Sequence, residues 1–125
     1  MANEINVSVS LSVANGNYSD SFSVSGRFDQ STQLSSAGVI EVGTAVETIS
    51  LGEITTAGFA AFRNLSTATS GTAYVALGAY VGTNLHEFVH LRRGQPAVLP
   101  LDSDVVVGAK AYGAATKLRY IVLSE

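Results

Sequence analysis

Residues 58–91 are the most apolar part of the chain, and their pattern decides the fold class. They comprise GFAAFRNL at 58–65, a Ser/Thr/Gly-rich connection at 66–72, AYVALGAYVG at 73–82 and LHEFVHL at 85–91. Short apolar runs bounded by turn residues predict three consecutive strands, at 59–65, 74–80 and 85–91. The first run is apolar on both faces, as in a central strand that is covered on both sides. Gly78 interrupts the second run and predicts a bulge or a close approach of two backbones.

The same pattern continues on both sides of this stretch. Further strands are expected at 38–42, 47–51, 97–101, 105–111 and 118–123. Gly43-Thr44 predicts a bend, and the two prolines at 96 and 100 suit an edge strand. No amphipathic helix of ordinary length is present. Many short strands with frequent turns predict an all-β antiparallel sandwich, jelly-roll-like, in a single domain over 1–125.

Residues 1–30 contain an alternating pattern that predicts an N-terminal β-hairpin over 4–28. Apolar side chains alternate with Asn or Ser at Ile5, Val7, Val9, Leu11 and Val13. This is the period of a strand with one buried face. A two-residue turn at Asn15-Gly16 is favoured because both residues tolerate positive φ. That turn would place Val13 opposite Tyr18, Val9 opposite Phe22 and Val7 opposite Val24.

The second face of the predicted hairpin consists largely of serines. The same register would place Ser12, Ser10 and Ser8 opposite Ser19, Ser21 and Ser23. Asp20, opposite Leu11, is the one residue that breaks the apolar face. The serine face is either a solvated surface or a flat contact surface for a neighbouring subunit. The hairpin is therefore a candidate arm for partner contacts.

The composition excludes several classes of protein. The chain has 125 residues, of which 46% are hydrophobic and 14% charged, with no cysteine and a net charge of −3. A disulfide scaffold and a thiolate metal site are excluded. The scattered Lys and Arg residues do not form the basic stripe that nucleic-acid binding requires, and no apolar run has the length of a membrane helix. We expect no signal peptide, no nucleic-acid partner and no membrane partner.

The only catalytic motif is His86-Glu87-Phe88-Val89-His90, which has the H-E-x-x-H form of zinc proteases. That chemistry needs a helix to bring both histidines to one metal, with the glutamate as general base. The segment is short, strand patterns flank it, and no third histidine is available as a ligand. On a strand the two histidines would share one face with Phe88, about 13 Å apart.

We therefore interpret His86, Glu87 and His90 as strand residues. The sequence predicts no catalytic, cofactor-binding or metal site within one subunit, and a protein that is not an enzyme. A zinc ion held between subunits by these histidines is a second hypothesis. Asn-x-Ser sequences at Asn6, Asn17 and Asn64 match the glycosylation motif, but such matches are expected by chance in a serine-rich chain.

From Gly38 onward the chain resembles small structural proteins of tailed bacteriophages. The segments that carry the resemblance are Ile40–Thr44, Gly58–Leu65, Tyr74–Gly78, Phe88–Gln95 and Leu118–Leu123. The resemblance implies a virion protein with a β-sandwich or jelly-roll fold and without catalytic residues or cofactors. Capsid decoration or cement proteins of this kind sit on the shell as symmetric homo-oligomers and contact the major capsid protein or other virion proteins. The resemblance also implies assembly in the host cytoplasm.

Two other functions are compatible with the sequence. A tail or head-completion component belongs to the same structural class. A glycan-binding or receptor-binding β-sandwich module belongs to a different class. Such a module needs exposed aromatic and polar groups gathered at one site, whereas the aromatic residues here fall within strand patterns and the chain has no tryptophan.

Overall fold

The structure is a computed structural model that describes residues 4–66, 73–102 and 104–125. Within these ranges the chain forms ten strands and no helix, and all pairings are antiparallel. The strands are β1 (Ile5–Asn15), β2 (Tyr18–Phe28), β3 (Ser35–Val42), β4 (Glu47–Thr48), β5 (Ala57–Asn64), β6 (Tyr74–Val81), β7 (Asn84–Leu91), β8 (Pro96–Pro100), β9 (Val107–Tyr112) and β10 (Thr116–Ser124). The all-β prediction is confirmed. Most of the predicted connection at 66–72, and Ser103, lie outside the described residues.

The chain divides into two compact units. The first comprises Met1–Gln33 with Glu125, and the second comprises Leu34–Ser124. The first unit is built on a two-stranded sheet of β1 and β2. At the end of the hairpin, the Ser31 hydroxyl donates a hydrogen bond of 2.6 Å to the Glu125 carbonyl, which joins the last residue to this unit.

The hairpin forms as predicted, but its register differs by two residues. The turn is Gly16-Asn17, and Gly16 has a φ of 60°. The observed pairs include Asn15 with Tyr18, Val13 with Asp20, Leu11 with Phe22, Val9 with Val24 and Ser10 with Ser23. The predicted pairing of Val9 with Phe22 was therefore wrong. An even shift leaves every side chain on its face, so the apolar face and the serine face both persist.

The second unit contains two four-stranded sheets. Their strand orders are β3-β10-β5-β8 and β4-β9-β6-β7. Four of the pairings are nested around the β6–β7 hairpin: β6 with β7, β5 with β8, β4 with β9 and β3 with β10. Successive nested pairs lie in alternate sheets. The nested pairs of the second unit therefore form one long two-stranded ribbon, whose successive segments lie in the two sheets alternately.

The core of the second unit is formed by side chains from both of its sheets. The buried residues are Val42, Ile49, Ile54, Ala57, Ala60, Phe62, Val75, Leu77, Leu91, Ala109, Ala111, Leu118, Tyr120 and Val122. In β10 they alternate with exposed Lys117, Arg119 and Ile121, as expected for a strand with one buried face. β8, with its two prolines, lies at the edge of its sheet as predicted.

Two strand boundaries differ from the sequence prediction by three residues, more than any other. β3 begins at Ser35 instead of residue 38, because its serines continue to pair with β10. β4 contains only Glu47 and Thr48, although the amide of Ile49 still donates to the Val107 carbonyl. Apolar content predicts which residues are buried, but backbone pairing sets the ends of a strand.

Asn64, at the end of β5, is a buried polar side chain of the second unit. It is 1% exposed. Its Nδ2 donates to the Leu91 carbonyl on β7 at 2.8 Å, and its Oδ1 accepts from the Ser66 amide at 2.8 Å. Because β5 and β7 belong to different sheets, this side chain ties the two sheets together at one end.

Candidate functional site

The histidine motif lies on β7 at a β-bulge. Leu77 pairs with Val89, and the next residue of β6, Gly78, pairs with Glu87, so Phe88 is the additional residue. A Cβ atom on Gly78 would lie 2.0 Å from the carbonyl oxygen of His86. Only glycine can occupy this position without displacing β7. The predicted bulge or close approach at Gly78 is confirmed.

The bulge separates the two histidines. His90 pairs with Ala76 and His86 pairs with Ala79. These alanines are three residues apart on a regular strand, so the two histidines face opposite sides of the sheet. The prediction that the histidines share one face was wrong, because the extra residue reverses the alternation of side chains. Glu87 instead joins His90 on the outer face.

Around Glu87, β6, β7 and β9 together build a cluster of aromatic and charged side chains. The Tyr112 hydroxyl donates to Glu87 Oε2, and His90 Nε2 donates to Glu87 Oε1 at 3.1 Å. The Tyr74 ring stacks between the other two rings, with centroid distances of 4.4 Å to His90 and 4.8 Å to Tyr112. These four residues are called the outer cluster below.

Two cations flank the outer cluster. Lys110 Nζ lies 4.8 Å from the centre of the Tyr112 ring, and Arg92 Cζ lies 5.9 Å from that of Tyr74. Both distances are in the range of cation–π attraction. The outer cluster is therefore a partly exposed row of three rings that includes one carboxylate, and a cation lies beside each of the two tyrosine rings.

The Tyr112–Glu87 hydrogen bond shifts the pKa of both of its partners. This bond, followed by the His90 hydrogen bond, holds the pKa of Glu87 below its usual value despite partial desolvation. The same bond to Glu87 raises the pKa of Tyr112 to about 12. Neither group is poised to exchange a proton near neutral pH, as a general acid or base must do. The two side chains are therefore held in a stable charge-assisted hydrogen bond.

The structure brings no metal site together from the predicted motif. Among the described residues, no group of three or more His, Cys, Asp or Glu side chains is placed to hold a metal ion. His86 lies away from the outer cluster, and Glu87 is engaged by Tyr112. The motif therefore contributes two of its residues to an aromatic surface.

The apolar face of the hairpin is exposed towards its turn, whereas at the other end of this face Ile5 is buried and Val7 and Val9 are half-buried. Leu11 is 70% exposed, and Tyr18 and Phe22 are each 61% exposed. Val13, Val24 and Phe28 are exposed as well. The alternation predicted a buried face, but a two-stranded sheet has no second layer of its own. A contiguous apolar surface of this kind is characteristic of a contact site.

A further concave site lies in the second unit. A cavity of about 180 Å³ is lined by apolar side chains of both sheets, and Phe88 forms part of its wall. The lining residues include Phe62, Leu77, Leu99, Leu101, Val105 and Val107. Asp102 is the only ionisable side chain in the lining. The site can accommodate an apolar group but offers little to orient a polar one.

The sequence did not reveal the outer cluster or the exposure of the hairpin. Glu87 and Tyr112 are 25 residues apart and meet only because β7 and β9 both flank β6. No local pattern carries that information. Only the bulge at Gly78, which places Glu87 on the outer face, had a signal in the sequence.

Comparison with known proteins gives no relative from which a function could be transferred. No protein-family model, no curated protein and no solved structure matches the chain. Across the described residues, no helix is long and apolar enough to cross a membrane. The surfaces described above are therefore the basis for the functional inference.

Proposed function

We propose that this protein is a non-enzymatic structural component of a virion, of the capsid decoration or cement type. The strand orders β3-β10-β5-β8 and β4-β9-β6-β7 support a jelly-roll assignment for the second unit. Nested pairs that alternate between two sheets are how an eight-stranded jelly roll is wound, and this architecture recurs in viral capsid proteins. The fold alone does not determine a function.

The observation that carries the proposal is the hairpin with its open apolar face. A two-stranded ribbon is marginally stable by itself in water. This one nevertheless extends over 11 residues per strand with Leu11, Phe22 and Val24 exposed. A contact surface of this form is explained when the protein functions in an assembly. On a shell, many identical weak contacts combine into stable attachment.

The proposed partners are the major capsid protein or other virion proteins, together with further copies of the chain. The location is the virion, after assembly in the host cytoplasm. The pKa shifts of Glu87 and Tyr112 support a role without catalysis. A tail or head-completion component is the alternative within this class.

The number of copies per purified particle tests the proposal. Quantitative mass spectrometry is expected to find on the order of hundreds of copies, as a protein that decorates a symmetric shell requires. A dozen copies or fewer would assign the protein to the tail or to the head-completion region. Its absence from particles would overturn the structural assignment.

The role of the hairpin in attachment has its own test. The L11S/F22S double variant removes two exposed apolar side chains, so its occupancy on particles that lack the wild-type chain is expected to fall. Ser12→Thr with Ser21→Thr changes the opposite face of the same strands and serves as the matched control. Equal occupancy of both variants would show that the apolar face does not contribute to attachment.

A second candidate function is a glycan-binding or receptor-binding module, which the outer cluster favours. Tyr74, Tyr112 and His90 form a row of rings with Lys110 and Arg92 beside it. Jelly rolls also occur as lectin domains. Binding on a glycan array that is lost in Tyr74→Ala would support this candidate, and an array without any binder would exclude it.

A further inference from the structure

Two arginines stand directly opposite each other on the outer face of the sheet β3-β10-β5-β8. Arg119 on β10 pairs with Arg63 on β5, and both are exposed. Like charges at opposite positions destabilise an antiparallel pair. Within the described residues the one ion pair is His90–Glu87, so neither arginine has a carboxylate partner. Glu41, on the neighbouring strand, lies opposite Lys117.

The next row of this sheet is apolar across all four strands. Two residues along the strands from the arginines, on the same face, the side chains in register are Ala37, Ile121, Ala61 and Val98. Ile121 and Val98 are exposed, and so is Val39, which stands beside Arg119 in the arginine row. The face therefore presents a cationic row followed at once by an apolar row.

The apolar face of the hairpin has the same order with the opposite charge. Asp20 is opposite Val13, and the next pair on that face is Leu11 with Phe22, followed by Val9 with Val24. The Asp20 carboxylate accepts only the neighbouring Ser21 amide, at 2.8 Å, and has no cation partner among the described residues. Charged and apolar rows are separated by two residues on both faces, about 6.6 Å in each case.

We propose that the hairpin of one copy packs its apolar face on the outer face of the β3-β10-β5-β8 sheet of a second copy. Asp20 then lies between Arg63 and Arg119, and Phe22 lies against Ile121. One contact explains three features that are otherwise unfavourable: a charge within an apolar face, two adjacent like charges, and two exposed apolar rows. The partner of the hairpin is then a second copy of the chain. This inference rests on the proposed function only in treating the hairpin as a contact surface.

The contact area favours a two-fold pair that exchanges hairpins over two copies that share a single such contact. A ribbon of two 11-residue strands is about 36 Å long and about 10 Å wide, so one face covers at most roughly 350 Å², and the buried Ile5 occupies one end of it. A stable interface needs about 800 Å² from each partner. The contact joins two different surfaces, so each copy of a two-fold pair gives one and receives one, which buries up to roughly 700 Å² per copy in a single interface.

Charge exchange between the two surfaces tests the contact. Sedimentation velocity over a range of protein concentrations is expected to show an oligomer for the wild-type chain. Asp20→Arg and Arg63→Asp are each expected to weaken the association by about 30-fold or more, as for loss of a desolvated charge pair. The double variant D20R/R63D restores opposite charges and is expected to recover most of it. Asp104→Arg makes the same change in net charge as Asp20→Arg at a position outside the contact, and it should leave the association unchanged.

A crosslink provides a readout that does not depend on the strength of association. The chain has no cysteine, so a Phe22→Cys chain mixed with an Ile121→Cys chain is expected to form a disulfide between copies. Ser21→Cys mixed with Ile121→Cys is the control, because Ser21 lies on the opposite face of the hairpin. Circular dichroism establishes that each variant is folded.

Three results would overturn the inference: a wild-type monomer at every concentration, an oligomer indifferent to Asp20→Arg, or equal crosslinking of the control pair. All three are measured in solution without particles. They do not depend on the number of copies per particle, so a failure of this contact is distinguishable from a failure of the proposed virion role.

Discussion

At Gly78 two strands approach so closely that a single methyl group has no space. A Cβ atom there would lie 2.0 Å from the His86 carbonyl oxygen and 2.9 Å from the Glu87 Cα. Both are backbone atoms and cannot rotate away. We expect Gly78→Ala to lower the free energy of unfolding by about 3 kcal/mol, the upper range for overpacking, as measured by urea denaturation.

Gly43→Ala is the matched control for this substitution. Apart from its two chain neighbours, no described residue has an atom within 4 Å of a Cβ placed at Gly43, so the free energy of unfolding should change by about 0.5 kcal/mol or less. Similar losses in both variants would show that glycine flexibility, and not the close approach of β7, explains the effect.

Asn64 has a structural role that its sequence context does not indicate. Replacing it with alanine removes the hydrogen bonds that its side chain makes with the Leu91 carbonyl and with the Ser66 amide. We expect Asn64→Ala to cost about 3 kcal/mol in unfolding free energy, since a buried group that loses its hydrogen bond bears its desolvation cost. Asn84→Ala, at an exposed position of β7, should change stability far less. A small loss at Asn64 would mean that water replaces the amide.

The Tyr112–Glu87 hydrogen bond makes stability depend on alkaline pH. Since the pKa of Tyr112 is raised from its ordinary value of 10.0 to about 12 by the hydrogen bond to Glu87, its contribution is complete below pH 10 and is lost as pH rises towards 12. Absorbance of the phenolate should show a tyrosine that titrates near pH 12. In Glu87→Gln this late titration is expected to move to lower pH, whereas Glu41→Gln should leave it in place.

The same bond acts in the opposite direction in acid. The pKa of Glu87 is lowered from 4.5, so its contribution is present above that value and is lost as pH falls through the folded-state pKa. Tyr112→Phe should therefore make unfolding less dependent on acid pH. An unchanged acid dependence would show that the hydrogen bond does not form in solution.

The sequence indicates some of these residues and not others, for a physical reason. The bulge at Gly78 can be predicted, because a glycine that interrupts an apolar strand is itself a local signal of a bulge or a close approach. The outer cluster is not visible, because Tyr74, Glu87 and Tyr112 come from three strands. The extra residue at Phe88 also reverses the facing of His86 relative to His90, which a strict two-residue period cannot anticipate.

Among the elements, the N-terminal hairpin permits a direct test of register. Ser10 pairs with Ser23 in the structure, whereas a turn at Asn15-Gly16 would pair Ser10 with Ser21. Opposite Cα atoms at a non-hydrogen-bonded pair are about 4.5 Å apart, and diagonal ones about 7–8 Å. We expect S10C/S23C to form a disulfide on oxidation, detected as a loss of two mass units per chain. S10C/S21C should remain largely reduced, because its Cα separation exceeds the usual range.

The hairpin shows where local patterns stop being informative. Alternation predicts both strands and both faces, because any even shift in register preserves the faces. The choice between Asn15-Gly16 and Gly16-Asn17 as the turn depends on one backbone conformation. A preferential S10C/S21C disulfide would favour the first turn and contradict the observed register.

For the whole molecule, the sequence predicts the number and kind of strands better than their arrangement. Apolar runs and turn residues indicate most of β3 to β10, although β4 shortens to two residues. The nested pairing of β3 with β10 joins residues about 80 positions apart, and no local pattern encodes such a contact. The exposure of the hairpin is likewise not encoded locally, because it depends on whether a second layer covers the two-stranded sheet.

The division into two units predicts that the second one folds independently. Every residue of its hydrophobic core lies between Val42 and Val122. A chain shortened to residues 34–125 should therefore keep one cooperative unfolding transition in urea. It lacks 33 of 125 residues, about a quarter, yet the hairpin exposes most of its side chains when folded. The m-value should therefore fall by less than that fraction, because m follows the surface exposed on unfolding.

The shortened chain also separates stability from association. If the hairpin of one copy binds the outer sheet face of another, residues 34–125 should sediment as a monomer at concentrations where the full chain is oligomeric. Loss of the cooperative transition would show that the hairpin is required to fold the second unit. A shortened chain that still forms the full oligomer would instead place the contacts between copies on the second unit alone.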